Sequence, residues 1–449
     1  MERPSLNPYE TPASDPTHAR DPATRRPSRA EEARLDEHAA SLAALAARSV
    51  HPAGGFGWLG PDNTLATERG IPTWVHCRMT HVLACEVLRG AEHLRPLLDV
   101  GTDALLSRTL RDERNDGWYA GVGGSGPDAA GAAPGARDKA AYAHAFVLLA
   151  AASLSAAGHR RGRSLLAQAL AVYDRYFWDE SAGMPRESWD ARWTTLEDYR
   201  GVNATMHSVE AMLAVGDVTG EDRYTRRALR MLRRVVRDFA RNADWRLPEH
   251  FDPSWRVLRD YHKERPADPF RPYGVTIGHV LEWSRLAVCG ARAAQRLDGS
   301  TPEWLVEDAA AMFEAGMRRG WAVDGEPGIV YTTDFTDTPV VRERMHWVVC
   351  EAIAAAWTLH EVTGDAGYAA AYEQLWAYAR EFLLDEEHGG WHHELSPRNV
   401  PSATLWWGKP DVYHAYQCAL VPLLPGMVSF AGALRDRADQ GPHEPTDSR

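Results

Sequence analysis

The 449-residue sequence predicts an all-α fold: an (α/α)6 barrel of about twelve helices behind a disordered, Pro-rich N-terminal arm. Three observations predict it. Apolar residues recur with helical period through most of the chain, and no run of alternating strands interrupts them. The helices fall in pairs, separated by Gly/Pro/Asp-rich breaks. Alternate helices carry a His near their start, at His81, His144, His207, His279, His346 and His414, with spacings of 63, 63, 72, 67 and 68 residues. Helical solenoid repeats are shorter, roughly 33–47 residues. Six longer pairs with one recurring position each suggest a closed ring instead. Alternate helices would then face inward, and the six His would ring one mouth.

The elements follow in order. Residues 1–30 carry six Pro among polar and charged residues. Such a segment cannot bury enough apolar surface to offset its ordering entropy, so it is expected to be a disordered arm. Residues 438–449 have the same character and are expected to be a disordered tail, which leaves 31–437 as the barrel domain. Helices are predicted near 33–49, 73–90, 93–110, 138–157, 161–178, 203–218, 221–240, 275–296, 302–319, 344–363, 367–384, 411–423 and 425–437. The breaks keep a beat of Gly and aromatic residues: Gly54-Gly55-Phe56, Asp116-Gly117-Trp118, Ala182-Gly183-Met184, Asp244-Trp245, Pro327-Gly328-Ile329 and Gly389-Gly390-Trp391.

Composition removes several function classes. The net charge is −12 and no basic patch with interleaved aromatics occurs, which argues against nucleic acid as a partner. The longest apolar run, Phe146 to Ala157, is too short to span a membrane. No hydrophobic signal region opens the chain, which argues against secretion by that route. The five Cys (Cys77, Cys85, Cys289, Cys350, Cys418) sit in apolar helical patterns without a C-x-x-C, as expected of reduced thiols in a cytoplasmic protein. A monomer or low-order homo-oligomer is expected.

The chemistry is expected from the His positions with polar company. Glu210 follows His207 at i+3, and Glu282 follows His279 at i+3, on a shared helix face. A carboxylate fixes an imidazole's tautomer and favours its protonation, whereas a helix N-terminus favours the neutral ring. That balance suits a proton-transfer residue. His414 lies in a Gly/Pro loop with Lys409 and Asp411, which resembles an active-site loop. A lone His at a helix start is more often a cap or packing residue, and His81, His144 and His346 fit that description. His with Glu at i+3 could also bind metal, although the di-metal helical motif runs Glu-x-x-His in the reverse order. No metal is expected. His388, His392 and His393, beside Gly-Gly-Trp, suggest a sugar-binding loop. Trp58, Trp74, Trp118, Trp283, Trp347, Trp391, Trp406 and Trp407 lie in or beside the breaks or at inner-helix starts. Trp offers an apolar face and one donor, which suits a sugar ring, and two or three of them are expected at the site. Arg78, Asn203, Glu282 and Glu351 could bind its hydroxyls.

These residues resemble the N-acylglucosamine 2-epimerase superfamily, and most closely its aldose–ketose isomerase branch. The resemblance runs over about residues 35–430. It rests on WVHCRMTH (74–81), DKAAYAHAF (138–146), NATMHSVEA (203–211), FRPYGVTIGHVLEWSRL (270–286), MHWVVCEAIAAAW (345–357), GGWHHEL (389–395) and GKPDVYHAYQ (408–417). It implies an (α/α)6 barrel and interconversion of free sugars without metal or cofactor. It implies His279 and His414 as the catalytic pair. It implies Arg78, Asn203, His207, Glu282, Trp347 and Glu351 as substrate contacts, with Tyr142 and Trp391 as weaker carry-overs. His279 is expected to move the C1/C2 proton and His414 to open the ring, or the reverse. The sugars of this branch differ at C5, and no sulfonate cluster is apparent. The expected reaction is therefore D-mannose to D-fructose rather than sulfoquinovose isomerisation. A 2-epimerase on the same fold is the first alternative. An inverting glycosidase would need two carboxylates roughly 6.5–9.5 Å apart, and here only Glu282 and Glu351 offer themselves. A non-catalytic sugar-binding protein would need no matched acid/base pair.

Overall fold

The computed structural model describes residues 27–125 and 128–440. Within them lie thirteen α-helices: α1 (Arg29–Ala47), α2 (Thr73–Leu88), α3 (Arg95–Leu106), α4 (Ala141–Ala156), α5 (Gly162–Val172), α6 (Val202–Thr219), α7 (Asp222–Leu232), α8 (Ile277–Asp298), α9 (Glu303–Gly320), α10 (His346–Thr363), α11 (Ala366–Tyr378), α12 (Tyr413–Leu420) and α13 (Phe430–Gln440). The expected arm lies outside the described residues except for its last four. Ser28 caps α1, its hydroxyl accepting from the Glu31 amide at 3.2 Å. The expected tail is described only to Gln440, where α13 ends.

The even-numbered helices α2 to α12 pack side by side in a ring, with α12 returning to α2. They are apolar nearly all round because both their faces are covered; in α4 every residue from Ala143 to Leu154 is buried. The odd-numbered helices α1 to α11 form the outer layer and bury one stripe each. In α7 the buried residues are Tyr224, Ala228, Met231 and Leu232, at helical spacing. Helix α13 closes the floor across α2, α4 and α6. Asp217 holds it there, accepting from the Ser429 hydroxyl at 2.7 Å and from Arg296 at 2.9 Å. No helix among the described residues is long and apolar enough to cross a membrane. The architecture is the expected (α/α)6 barrel.

The loops at the mouth add what the helical pattern did not foretell. Each inner helix from α2 to α10 is entered through a two-residue strand that pairs antiparallel with the loop after the next outer helix. Ile71–Pro72 pairs with Gly121–Val122, Lys139–Ala140 with Ser188–Trp189, and Arg200–Gly201 with His250–Phe251. Val275–Thr276 pairs with Thr332–Thr333, and Arg344–Met345 with Glu394–Leu395. A single bridge between Leu59 and Lys409 completes the circle. At the first five rungs the opening amide of the inner helix donates to the carbonyl just before the partner strand. The pairs are Thr73 to Ala120 (3.0 Å), Ala141 to Glu187 (2.8 Å), Val202 to Glu249 (3.1 Å), Ile277 to Tyr331 (3.1 Å) and His346 to His393 (3.1 Å). Each bond satisfies a helix-end donor that would otherwise lack a partner.

Buried ion pairs fix the hairpins beside these rungs. Asp112 Oδ1 accepts from the Arg114 and Asn115 amides, and its Oδ2 accepts from Lys139 Nζ at 2.9 Å. Asp385 repeats the device with the Glu387 and His388 amides and Lys409 Nζ at 2.5 Å. Lys409 is thereby committed to structure, although the sequence placed it in an active-site loop.

Candidate active site

The mouth leads into a cavity whose empty space, counted with the open solvent at its entrance, is about 650 Å³. Eight of the ten sequence-predicted residues line it: Arg78 from α2, Tyr142 from α4, Asn203 and His207 from α6, His279 and Glu282 from α8, Trp347 from α10 and His414 from α12. Glu351 does not line it; its Oε1 meets His414 Nδ1 at 2.8 Å and its Oε2 accepts from Arg285 Nε at 2.8 Å. Trp391 is a correction. It is buried among Trp376 and His38, and its indole N–H donates to His38 Nε2 at 2.9 Å, so it belongs to the wall packing of α1 and α11.

The six-His ring is reduced to four. His207, His279, His346 and His414 face the cavity, whereas His81 and His144 do not. His144 accepts the Trp118 amide at 3.2 Å, and His81 Nδ1 meets Ser153 Oγ at 2.7 Å. The register explains the error. The counterpart of His144 in α2 is His76, also the fourth residue of its helix, which likewise accepts a loop amide, from Phe56 at 3.0 Å.

Two imidazoles are backed by carboxylates across the barrel. His279 Nδ1 meets Glu249 Oε2 at 2.9 Å, and His414 Nδ1 meets Glu351 Oε1 at 2.8 Å. The carboxylate assigns the proton to Nδ1 and leaves Nε2 with a free lone pair. Helical spacing pointed to Glu282 as the partner of His279, but Glu249 fills that place. The other expected pair is present, His207 Nδ1 to Glu210 Oε2 at 3.4 Å. Burial lowers His207 and His346 to about 4; burial and then the Arg78 guanidinium hold His414 well below its usual range. Each shift favours the neutral ring, which keeps a lone pair for a proton.

Trp347 lies between the two carboxylate-backed rings, its ring centroid 5.3 Å from His279 and 5.7 Å from His414. Gly278 makes room for it, since a Cβ there would fall 2.5 Å from the indole. Arg78 donates to Asp411 Oδ2 at 3.1 Å and to Tyr142 Oη at 3.2 Å, and lies over the Trp74, Phe146 and Tyr413 rings. Trp74, Phe270 and Trp406 roof the cavity edge to face. Phe270 hangs from the FRPYG segment. Next to it, Arg271 forks onto Glu197 at 2.6 and 2.9 Å and stacks 4.0 Å over Tyr199. Gly274 ends that segment at φ 95°, where a Cβ would fall 2.1 Å from the Thr333 carbonyl oxygen.

Two sets of side chains could hold a cation: His207, Glu210 and Glu282, and Glu282, Glu351 and His414. Most of their ligand atoms already hydrogen-bond. Glu210 accepts from Tyr413 Oη and from Gln417 Nε2 (3.0 Å) besides His207. Glu282 is the exception, with both oxygens buried and without a hydrogen-bond partner. Burial and the Glu351 carboxylate push its carboxyl well up, towards the neutral acid.

Comparison with known proteins decides the family. The profile described as N-acylglucosamine 2-epimerase matches residues 54–418. The chain belongs to that family. It is accordingly an isomerase or epimerase. A D-mannose isomerase of Thermobifida fusca is 49% identical over 401 residues, 89% of this chain and 96% of that protein. A D-mannose isomerase of Pseudomonas cannabina pv. alisalensis is 43% identical over 380 residues, covering 85% and 90%. The crystal structure of a D-mannose isomerase superposes with a TM-score of 0.79 at 23% identity, covering 88% of this chain and 99% of that one. This last likeness supports the barrel fold.

The lining residues outside the expected catalytic and substrate-contact set divide by origin, and of them His393, Trp406 and Asp411 stand in segments the sequence had marked as candidate loops. Tyr331 and His393 occupy the register before the rungs whose carbonyl accepts the helix amide, as does Glu249 beneath His279. That register, aligned across the repeats, was the signal that could have found them. Phe270, Trp406 and Asp411 come from loops with no such periodicity.

Proposed function

We propose that the chain interconverts D-mannose and D-fructose through a cis-enediolate, with His279 and His414 as its acid/base pair. The observation that carries this reading is two buried carboxylate-backed imidazoles, on α8 and α12, flanking Trp347 in one aromatic-roofed cavity. The D-mannose isomerases at 49% and 43% identity support the sugar.

The chemistry follows from the acidity of C2. In the open-chain aldose the C2–H lies next to the carbonyl. His279 Nε2 takes that proton, which leaves an enediolate and an imidazolium. The imidazolium returns the proton to C1, and a proton passes from O2 to O1, so the ketose is formed with nothing gained or lost. His414 opens the pyranose ring and moves protons on the O1/O5 side. Arg78 offers a fixed positive charge near the developing oxyanion, a large contribution in chemistry of this kind. Asn203, His207, Glu282 and Tyr142 bind hydroxyls, and the Trp347 face carries the apolar side of the sugar.

The test is NMR of mannose with the enzyme in D2O. Fructose carrying deuterium at C1 supports the reading. Glucose as the first product would replace it with C2 epimerisation, a second reading favoured by the two His standing on either side of Trp347. No turnover of any free aldose would sink both.

The reaction is proposed to need no metal, because the carboxylates of Glu210 and Glu351 are already engaged by protein donors. Exhaustive chelation is expected to leave the rate within twofold; loss restored by a divalent ion would overturn this. The five Cys are buried free thiols, which supports the expected reducing, cytoplasmic setting.

A further inference from the structure

We infer that Glu249 is the positioning residue for proton transfer at His279, and that the barrel gives its two imidazoles unlike partners on purpose of charge. The inference rests on the role proposed for His279 and extends it to a residue outside the cavity lining.

Glu249 reaches His279 from a different part of the chain. It precedes the His250–Phe251 strand, and its carbonyl accepts the opening amide of α6 at 3.1 Å. Its neighbour His250 is fixed on both sides, by Tyr199 Oη at 2.7 Å and by the Pro272 carbonyl at 2.8 Å. The Glu249 backbone is therefore held firmly when its carboxylate meets His279 Nδ1 at 2.9 Å, with the side chain 3% exposed.

The contrast lies in what else each carboxylate touches. Glu351 divides itself between His414 and Arg285, so a guanidinium already offsets its charge. Glu249 has no second cation: among the described residues its ion-pair partner is His279, and its Oε1 is buried without a hydrogen bond. A buried carboxylate with nothing else to answer it gains most when its imidazole becomes an imidazolium. That event is the removal of the C2 proton. Glu351, already neutralised, stabilises a charged His414 less. Glu249 thus sets the tautomer of His279 and stabilises the cation formed in the chemical step, without touching substrate.

The experiment compares E249Q, E249D and H279A on mannose. Gln keeps a hydrogen-bond acceptor and removes the charge. For E249Q, kcat is expected to fall about 10²-fold, within the range of general base catalysis, while KM stays within twofold. The isotope effect with C2-deuterated mannose should rise as proton abstraction becomes fully rate-limiting. E249D, which keeps the charge, should recover at least tenfold over E249Q. The double variant E249Q/H279A should be no slower than H279A. A raised KM with unchanged kcat, or an unchanged isotope effect, would mean a structural role only. If H279A is inactive and E249Q turns over normally, the inference on Glu249 fails and the proposed function stands. If H279A itself turns over normally, the underlying reading fails. Should E249Q not fold, E249A, which also removes the charge, takes its place: wild-type kcat and isotope effect in it would overturn the inference.

Discussion

Replacing His414 with Ala is expected to lower kcat for mannose by 10²–10⁴-fold, the range that one positioned acid/base group contributes. The fold should survive. Removal of the imidazole leaves Glu351 with its second partner, Arg285, so no uncompensated charge is stranded in the barrel. Arg78 keeps Asp411, and Trp347 keeps its place against Gly278. KM should therefore change much less than kcat. Steady-state kinetics with the melting temperature as a control check this, and a rate within a few-fold of wild type would remove His414 from the chemistry. C2–H exchange in D2O separates the two His. If His414 opens the ring, His414→Ala should regain exchange on a substrate that cannot cyclise, whereas His279→Ala should not.

The largest expected stability effect lies outside the cavity lining. Asp112→Ala is expected to cost about 3–5 kcal/mol, the usual penalty for breaking a buried ion pair by removing one partner. Lys139 is fully buried, and its ammonium would lose its one charged hydrogen-bond partner among the described residues while the Arg114 and Asn115 amides lose their acceptor. Denaturant unfolding measures the loss, and a cost below 1 kcal/mol would show that water or a local shift rescues the lysine. The pair also sets a direction with pH. Burial raises the Asp112 carboxyl, but the Lys139 and Asn115 hydrogen bonds outweigh it and hold the group well below the usual carboxylate range. At Asp385 the same balance, with Lys409, settles at about 2. A depressed folded-state value means stability that is complete above about pH 4 and fades as pH falls towards 2. Asp112→Ala should flatten that acid limb.

The legibility of the sequence follows from what leaves a period. Inner helices bury both faces, so α4 reads as a continuous apolar run, and α7 shows one stripe. The expected bounds of most helices accordingly fall within a few residues of those observed. Residues on inner helices, such as Asn203, His207 and His279, were found because a helix start near a mouth is itself a position. The failures have separate causes. Two-residue strands have no alternation to detect, so the rungs stayed invisible, and with them the register that delivers Glu249, Tyr331 and His393. His81 was aligned with His144 by interval alone, while hydrogen bonding aligns His76 with it. Trp391 and Lys409 carried the right chemistry for a site, but packing on Trp376 and pairing with Asp385 had already taken them.

The seam at Leu59 and Lys409 has a consequence for how the protein is made. Helix α1, first in the described chain, packs on α12 as well as on α2. The sixth helix pair is thus assembled from opposite ends of the sequence. A ribosome-bound chain that has exposed everything through α11 would own Arg78, His207 and His279 and still lack His414, with α1 waiting uncovered on one side. With His279 and His414 as the proposed acid/base pair, activity is expected only once the last segment docks against the first.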